Sequence, residues 1–164
     1  GTLQERKSID LAFIGLHREC RKLVDSSAPG GFLLGLAISE RYDREPPDKR
    51  LLLDGVSGNV ADHMLAIMDY LAVMAYRNRA EKIIESSAYD VREASVRKRK
   101  VWVGVETGDP AANGEPSTIS FYGKSLSGME QELAKVEEYF RNEKSFAGIA
   151  VHSYASYCRM FDVK

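Results

Sequence analysis

Glu106, His152 and Tyr76 each close an apolar run, and each is a side chain able to move a proton or hold a polar ligand. Glu106 ends VWVGVE and is followed by a polar, glycine-containing loop. A carboxylate placed there can act as nucleophile, general base, metal ligand or acceptor for a sugar hydroxyl. Its plainer role is a solvated strand-end glutamate, bonded to backbone or paired with an arginine. His152 ends FAGIAVH and can bind substrate, transfer protons or help to ligate a metal. The alternative is an interior histidine held by hydrogen bonds to Tyr154 or Tyr76. Tyr76 ends YLAVMAY, with Arg77 and Asn78 next, where a phenol and an amide can orient a hydroxyl-bearing ligand. Trp102 offers a flat apolar surface, although filling a core is the simpler role for it and for Met74. Ser39 ends the first run, and the charged residues Glu40, Arg41 and Asp43 follow it. They can reach the same place or form an ordinary surface loop.

Other signals exclude more than they suggest. Arg97-Lys98-Arg99-Lys100 follows a helical segment, where cations complement the negative helix end. With 23 Lys+Arg against 24 Asp+Glu, no partner of nucleic-acid type is expected. No apolar stretch reaches the roughly 18–20 residues of a membrane span, since the longest, 65–76, is interrupted by Asp69. There is no G-x-G-x-x-G, Walker loop, H-E-x-x-H or G-x-S-x-G, so dinucleotide, P-loop and α/β-hydrolase chemistry are disfavoured and no cofactor is expected. Cys20 and Cys158 have no zinc or CxxC spacing and read as buried, reduced thiols, although one bridge between them would also be compatible. The compartment therefore stays open. His17 and His63 lie in helical segments without a ligand-like pattern.

The elements that carry these residues follow from periodicity. Ile9, Phe13, Leu16, Cys20 and Leu23 step by four and three and predict a helix face, ended by Pro29, Gly30 and Gly31. The run 32–38 (FLLGLAI) predicts a buried strand, and 39–54, with Pro46-Pro47, a long loop. Asn59 is an expected N-cap, with Asp62 three residues on and Val60, Met64 and Ile67 as the apolar stripe. A second strand is expected at 70–76 and a helix at 79–95 with Ile83, Ile84, Ala88 and Val91 inward. A third strand follows at 101–106, and 117–122 is either a short strand or irregular. Ser127 and Glu130 suggest a capping box before Met129, Leu133, Val136 and Phe140. The fourth strand is expected at 146–152, followed by a short tail. The order α-β-α-β-α-β-α-β implies parallel strands joined by right-handed crossovers.

Alternate strand residues separate into two unlike faces. One carries Leu34, Leu36, Ile38, Leu71, Val73, Val101, Val103, Val105, Ile149 and Val151, as expected beneath helices. The other carries Gly35, Ala37, Ala72, Gly104, Gly148 and Ala150 in mid-strand, with Tyr70, Trp102 and Phe146. Ser39, Tyr76, Glu106 and His152 end that face. A doubly wound sheet is aliphatic on both faces, whereas a βα-barrel has a tight interior and functional groups at the C-terminal strand ends. The fold class expected is α/β: parallel βα repeats with four strands, a half or partial TIM barrel. A full barrel takes eight strands and about 250 residues, so 164 residues amount to one domain or the C-terminal half of a barrel. Gly1 in place of Met points to a trimmed start. A truncated chain, a half-barrel completed by another chain, and an open four-stranded sheet all remain compatible. An isolated half would expose its interior face, which makes a homodimer or a missing N-terminal half-barrel the expected partner.

YLAVMAYRN is similar to the sixth-strand Met-x-Tyr segment of chitinase-like glycoside hydrolases, with Met74 and Tyr76 in the matching positions. VWVGVETG resembles the seventh strand of other glycoside-hydrolase barrels, which carries a catalytic Glu, here Glu106. FAGIAVHSYASY resembles an eighth strand closing on the first. The resemblance spans about residues 32–157 and implies a carbohydrate-active barrel portion with Glu106 catalytic. It implies a carbohydrate ligand contacted by Tyr76, His152, Trp102, Ser39 and Asn78. Such enzymes place a further acidic residue on a fourth strand that has no counterpart here, and two-carboxylate hydrolysis needs the pair about 5–10 Å apart. Two alternatives use the same cluster: a non-catalytic sugar- or partner-binding module, and a metal-dependent enzyme built on Glu106 and His152.

Overall fold

The computed structural model describes residues 2–43 and 50–162. Pro46 and Pro47 of the expected loop lie outside the described residues. Four strands, β1 (Gly35–Ser39), β4 (Tyr70–Met74), β5 (Lys100–Glu106) and β6 (Phe146–His152), form one parallel sheet in the order β1-β4-β5-β6. Its strands are connected through α2 (Val60–Ile67), α3 (Ala80–Val96) and α4 (Leu126–Phe140). Chain order and strand order coincide, so right-handed crossovers put these helices on the same side. This is the expected partial α/β fold of parallel βα repeats.

Burial follows the two faces in β4 and β5. In β6, Ile149 is half-buried and Val151, expected beneath helices, is 37% exposed because β6 lies at the sheet edge. Leu71, Val73, Val101, Val103 and Val105 are fully buried beneath the helices, with Ile38 2% exposed. They meet Met64 and Leu65 of α2, Ile83 and Val91 of α3, and Met129, Val136 and Phe140 of α4 in one core. Among the described residues no helix layer equivalent to this covers the opposite face, where Trp102 is 39% exposed. At roughly 25 cal/mol per Å², the difference between the faces is the hydrophobic reason for this one-sided arrangement.

Local sequence explains most element ends. Asn59 caps α2 as expected: its Oδ1 accepts from the Asp62 amide at 2.7 Å, and Asp62 Oδ2 accepts from the Asn59 amide at 2.9 Å. The 25-residue α1 (Leu3–Ser27) begins with a Thr2–Glu5 capping box and ends just before Pro29. The first turn of α3 is satisfied from outside, since the Ala80 amide donates to Glu132 Oε2 of α4 at 2.6 Å.

Several expectations are corrected. In α1 the buried residue is Ile14, whereas Ile9, Leu16 and Leu23 are 67%, 61% and 66% exposed. Periodicity defines a stripe but not its neighbour. Here Arg18 and Arg21 pair with Asp54 and Asp69, and Ile14, between the expected positions, is the residue turned to the core. The first strand begins only at Gly35, leaving Phe32 and Leu33 exposed. The expected long loop contains a hairpin, β2 (Leu51–Leu53) with β3 (Val56–Gly58), turning at Asp54-Gly55 with both residues at positive φ. The cap of α4 is Ser125, whose side chain accepts from Gly128 N at 3.1 Å, while Ser127 lies inside the helix and accepts from Gln131. The tail forms α5 (Tyr154–Phe161). Cys20 and Cys158 are free and only half-buried.

One register shift matters for the faces. Val101 pairs with Phe146 but Trp102 pairs with Gly148, so Ala147 is an extra residue and the parity of β6 changes there. Phe146 therefore joins the helix side, its ring 5.3 Å from that of Phe140, rather than the open face on which alternation placed it. Gly148 takes φ +127°, and a Cβ there would come within 3.0 Å of the Trp102 ring. That backbone and that contact both call for glycine.

Candidate functional site

The parallel register that packs Val103 and Val105 against the helices brings Glu106 opposite His152 at the end of the β5–β6 ladder. Their side chains meet, with His152 Nδ1 2.7 Å from Glu106 Oε2. The other oxygen, Oε1, accepts from the backbone amides of Thr107 at 2.7 Å and Gly108 at 2.5 Å. The loop directly after β5 thus folds back onto the carboxylate of its own last residue. The Glu106 side chain is 15% exposed and that of His152 65%, so the pair presents its imidazole to the open side.

Tyr76 completes this group. It lies two residues past β4, and its ring stacks on that of His152 at 6.0 Å with 20° between the planes. The neighbouring strand makes room for it. A Cβ on Gly104 would stand 2.9 Å from the Val73 carbonyl and 3.6 Å from Tyr76 Cε1, so any larger side chain crowds this corner. Burial, and then the nearby charge of Glu106, push the Tyr76 phenol above its ordinary value.

The other expected residues have different surroundings. Asn78 Nδ2 donates to the carbonyls of Ser117 and Ser120 at 2.9 and 2.8 Å, which ties the loop after β5 to the end of β4. Ser39 Oγ faces the Arg41 amide and guanidinium at 3.4 Å. Trp102 lies four residues before Glu106 on the same open face, above Gly148. Glu40 is bound to Arg77 at 2.6 Å, and Arg77 also donates to the Tyr76 carbonyl at 2.6 Å, bracing the ends of β1 and β4. His17 and His63 bond to the carbonyls of Phe13 and Leu51. The basic run is engaged as well: Arg97 with Asp62 and Glu93, Arg99 with Asp69, and Lys100 with the Lys144 carbonyl.

Sequence reasoning missed Thr107, Ser153 and Ser156. Thr107 is fully buried, and its hydroxyl lies 2.7 Å from Ser156 Oγ and 3.0 Å from the His152 carbonyl. Ser153 and Ser156 form the capping box of α5. The S-x-x-S spacing at 153–156 was the readable signal, although a serine at the fourth position is not the usual Glu or Gln. A cavity of about 540 Å³ opens beside the loop, lined by Thr107, Gly108, Asp109, Tyr122, Ser156 and Arg159 among others.

Chemically, one carboxylate oxygen is occupied by fixed backbone donors and the other shares a proton site with an exposed imidazole. Residues of these types in this orientation can do acid–base chemistry, and they lie at the strand ends where parallel βα proteins place ligands. Among the described residues no group of three His, Cys, Asp or Glu side chains gathers as a metal site would need, so Glu106 and His152 have no third ligand of that type. No described helix is long and apolar enough to cross a membrane. The fold and site thus define a parallel βα protein with one open sheet face and a Glu–His–Tyr cluster at its edge. No family model, curated protein or solved structure matched the chain in the three comparisons.

Proposed function

We propose that this sheet is a portion of a glycoside-hydrolase-like βα barrel that acts on carbohydrate, with Glu106 as catalytic carboxylate and Tyr76 and His152 positioning the sugar. The observation that carries the reading is the Glu106–His152 pair at 2.7 Å, placed at the C-terminal strand ends on the uncovered face. Three features support it. The open face is built from small residues around Trp102, as a barrel interior requires. The carboxylate is held at Oε1 by two backbone amides, leaving Oε2 and the imidazole as the reactive edge. Tyr76 lies against the imidazole and offers a hydroxyl to a polyol.

Glu40, another carboxylate after a strand end, is committed to Arg77. A second catalytic carboxylate is then supplied by the surface that covers the open face, whether a second copy or further βα units.

The test is turnover of a glycan panel by the completed assembly, with wild-type chain and with Glu106→Gln. The reading expects hydrolysis that falls about 10²–10⁴-fold in the variant, the usual weight of one acid–base group. Equal turnover by both proteins removes Glu106 from the chemistry. Saturable glycan binding with no hydrolysis by either would instead favour the sugar-binding module, for which half-exposed Trp102 is the favouring observation.

A further inference from the structure

The Glu106–His152 pair joins the last residues of two strands, and among the described residues β6 is an edge strand paired with β5. Among the described residues, the His152 side chain has one hydrogen bond, to Glu106, and one ring contact, with Tyr76, and it is 65% exposed. Its direction therefore depends also on how the backbone is held. Beyond the ladder, Thr107 provides that hold. Its amide donates to the His152 carbonyl at 2.8 Å and also lies 2.7 Å from Glu106 Oε1. Its hydroxyl reaches the same His152 carbonyl at 3.0 Å. One buried residue thus grips both the main chain of His152 and the carboxylate of Glu106.

The hydroxyl is itself fixed. A threonine or serine hydroxyl has a single proton to donate. One assignment serves every group in turn: the Ser153 amide and hydroxyl donate to Ser156 Oγ at 3.0 and 3.1 Å. Ser156 Oγ has two acceptors in reach, Thr107 Oγ1 at 2.7 Å and the Ser153 carbonyl at 2.9 Å; donating to the nearer one leaves Thr107 to donate to the His152 carbonyl. The chain of bonds runs from the first turn of α5 to the backbone of the imidazole-bearing residue. Thr107 is fully buried and Ser156 8% exposed, so water does not readily replace either donor.

We propose that Thr107 and Ser156 are positioning residues that align the His152 imidazole with the Glu106 carboxylate by pinning the end of β6 to the loop after β5. The proposal rests on reading Glu106–His152 as the functional pair, and it has a readout independent of turnover. Facing a carboxylate oxygen through Nδ1, a neutral imidazole makes this bond only as the Nδ1–H tautomer, whereas a free imidazole favours Nε2–H.

Long-range ¹H–¹⁵N spectra recorded above the imidazole titration report the two forms for His152, with His17 and His63 assigned by substitution. The wild-type chain is expected to show Nδ1–H. Thr107→Val, which keeps the shape and removes the hydroxyl, is expected to lower the ratio of Nδ1–H to Nε2–H about tenfold, the scale of one lost hydrogen bond. Ser156→Ala should move it in the same direction, and Thr107→Ser should keep the wild-type ratio. Folding of each variant is checked by circular dichroism. If Thr107→Val does not fold, Ser156→Ala carries the test. A folded Thr107→Val or, in its place, Ser156→Ala with the wild-type ratio overturns the positioning role while leaving the pair intact. A wild-type chain lacking Nδ1–H overturns the pair itself, and the functional reading with it.

Discussion

Two carboxylates sit at opposite ends of the same sheet, and their surroundings differ in kind. Asp69, at the N-terminal end, accepts from Arg21 at 2.7 Å, from the Leu34 amide at 2.8 Å and from Arg99 at 3.4 Å. It ties the start of β4 to β1 through the Leu34 amide, to β5 through Arg99 and to α1 through Arg21. Glu106, at the C-terminal end, has backbone amides on one oxygen and an imidazole on the other, with no lysine or arginine partner among the described residues. Asp69 is bonded to guanidinium groups, which stay cationic, whereas Glu106 faces an imidazole, which is not a permanent cation. The same carboxylate chemistry therefore fastens the fold at one end and orients a histidine at the other.

Exchanging the two losses is the strongest way to break this contrast. Glu106→Gln should remove the 10²–10⁴-fold of turnover assigned to it, yet change unfolding free energy by less than about 1 kcal/mol, because Gln still offers a carbonyl oxygen to the two amides. Asp69→Ala should do the reverse. It leaves Arg21 and the Leu34 amide without their acceptor and should cost about 2–3 kcal/mol in urea unfolding, with activity per folded molecule retained. If Glu106→Gln proves the more destabilising variant, the division between fastening and chemistry is wrong.

A pH series sharpens the same contrast. Burial by itself would raise the Asp69 pKa, but the Leu34 amide, Arg21 and Arg99 outweigh it and hold the carboxyl below the ordinary value of 3.8. A depressed folded pKa means that this stabilisation is complete above the unfolded value and lost as pH falls through the lower folded one. Wild-type stability should accordingly drop more steeply below about pH 4 than that of Asp69→Asn, measured by urea midpoints between pH 6 and 2. The smallest expected effect is optical. In an ultraviolet titration Tyr76 should ionise above the ordinary tyrosine range, assigned by subtraction of Tyr76→Phe. Glu106→Gln should bring it part of the way back, since burial remains when the charge is gone.

Much of this was readable along the chain. Strand parity separated Leu71, Val73, Val101, Val103 and Val105 from Gly104 and Glu106, because a period of two is a property of the extended backbone. Asn59 was recognisable because a cap bonds within three residues. The Asp54-Gly55 turn carried an equally local signal, but the Pro46-Pro47 context made the whole segment read as loop. Ile14 was missed because a helix of mixed polarity has several possible stripes, and the one that is buried depends on what the helix packs against. Phe146 was placed on the wrong face because one extra residue, Ala147, enters the ladder.

By itself the sequence determined the element types, the parallel βα order and the aliphatic face, since these depend on periodicity and on contacts within a few residues. It also showed that Tyr76, Glu106 and His152 end their strands. Only the tertiary structure decided that these three touch, that Ser39 and Asn78 are bonded elsewhere, and that Thr107 and Ser156 stand behind the pair. Glu106 and His152 are 46 residues apart, and their 2.7 Å contact depends on the register of two strands. Register is set by packing across the whole sheet, so no local pattern could reveal it.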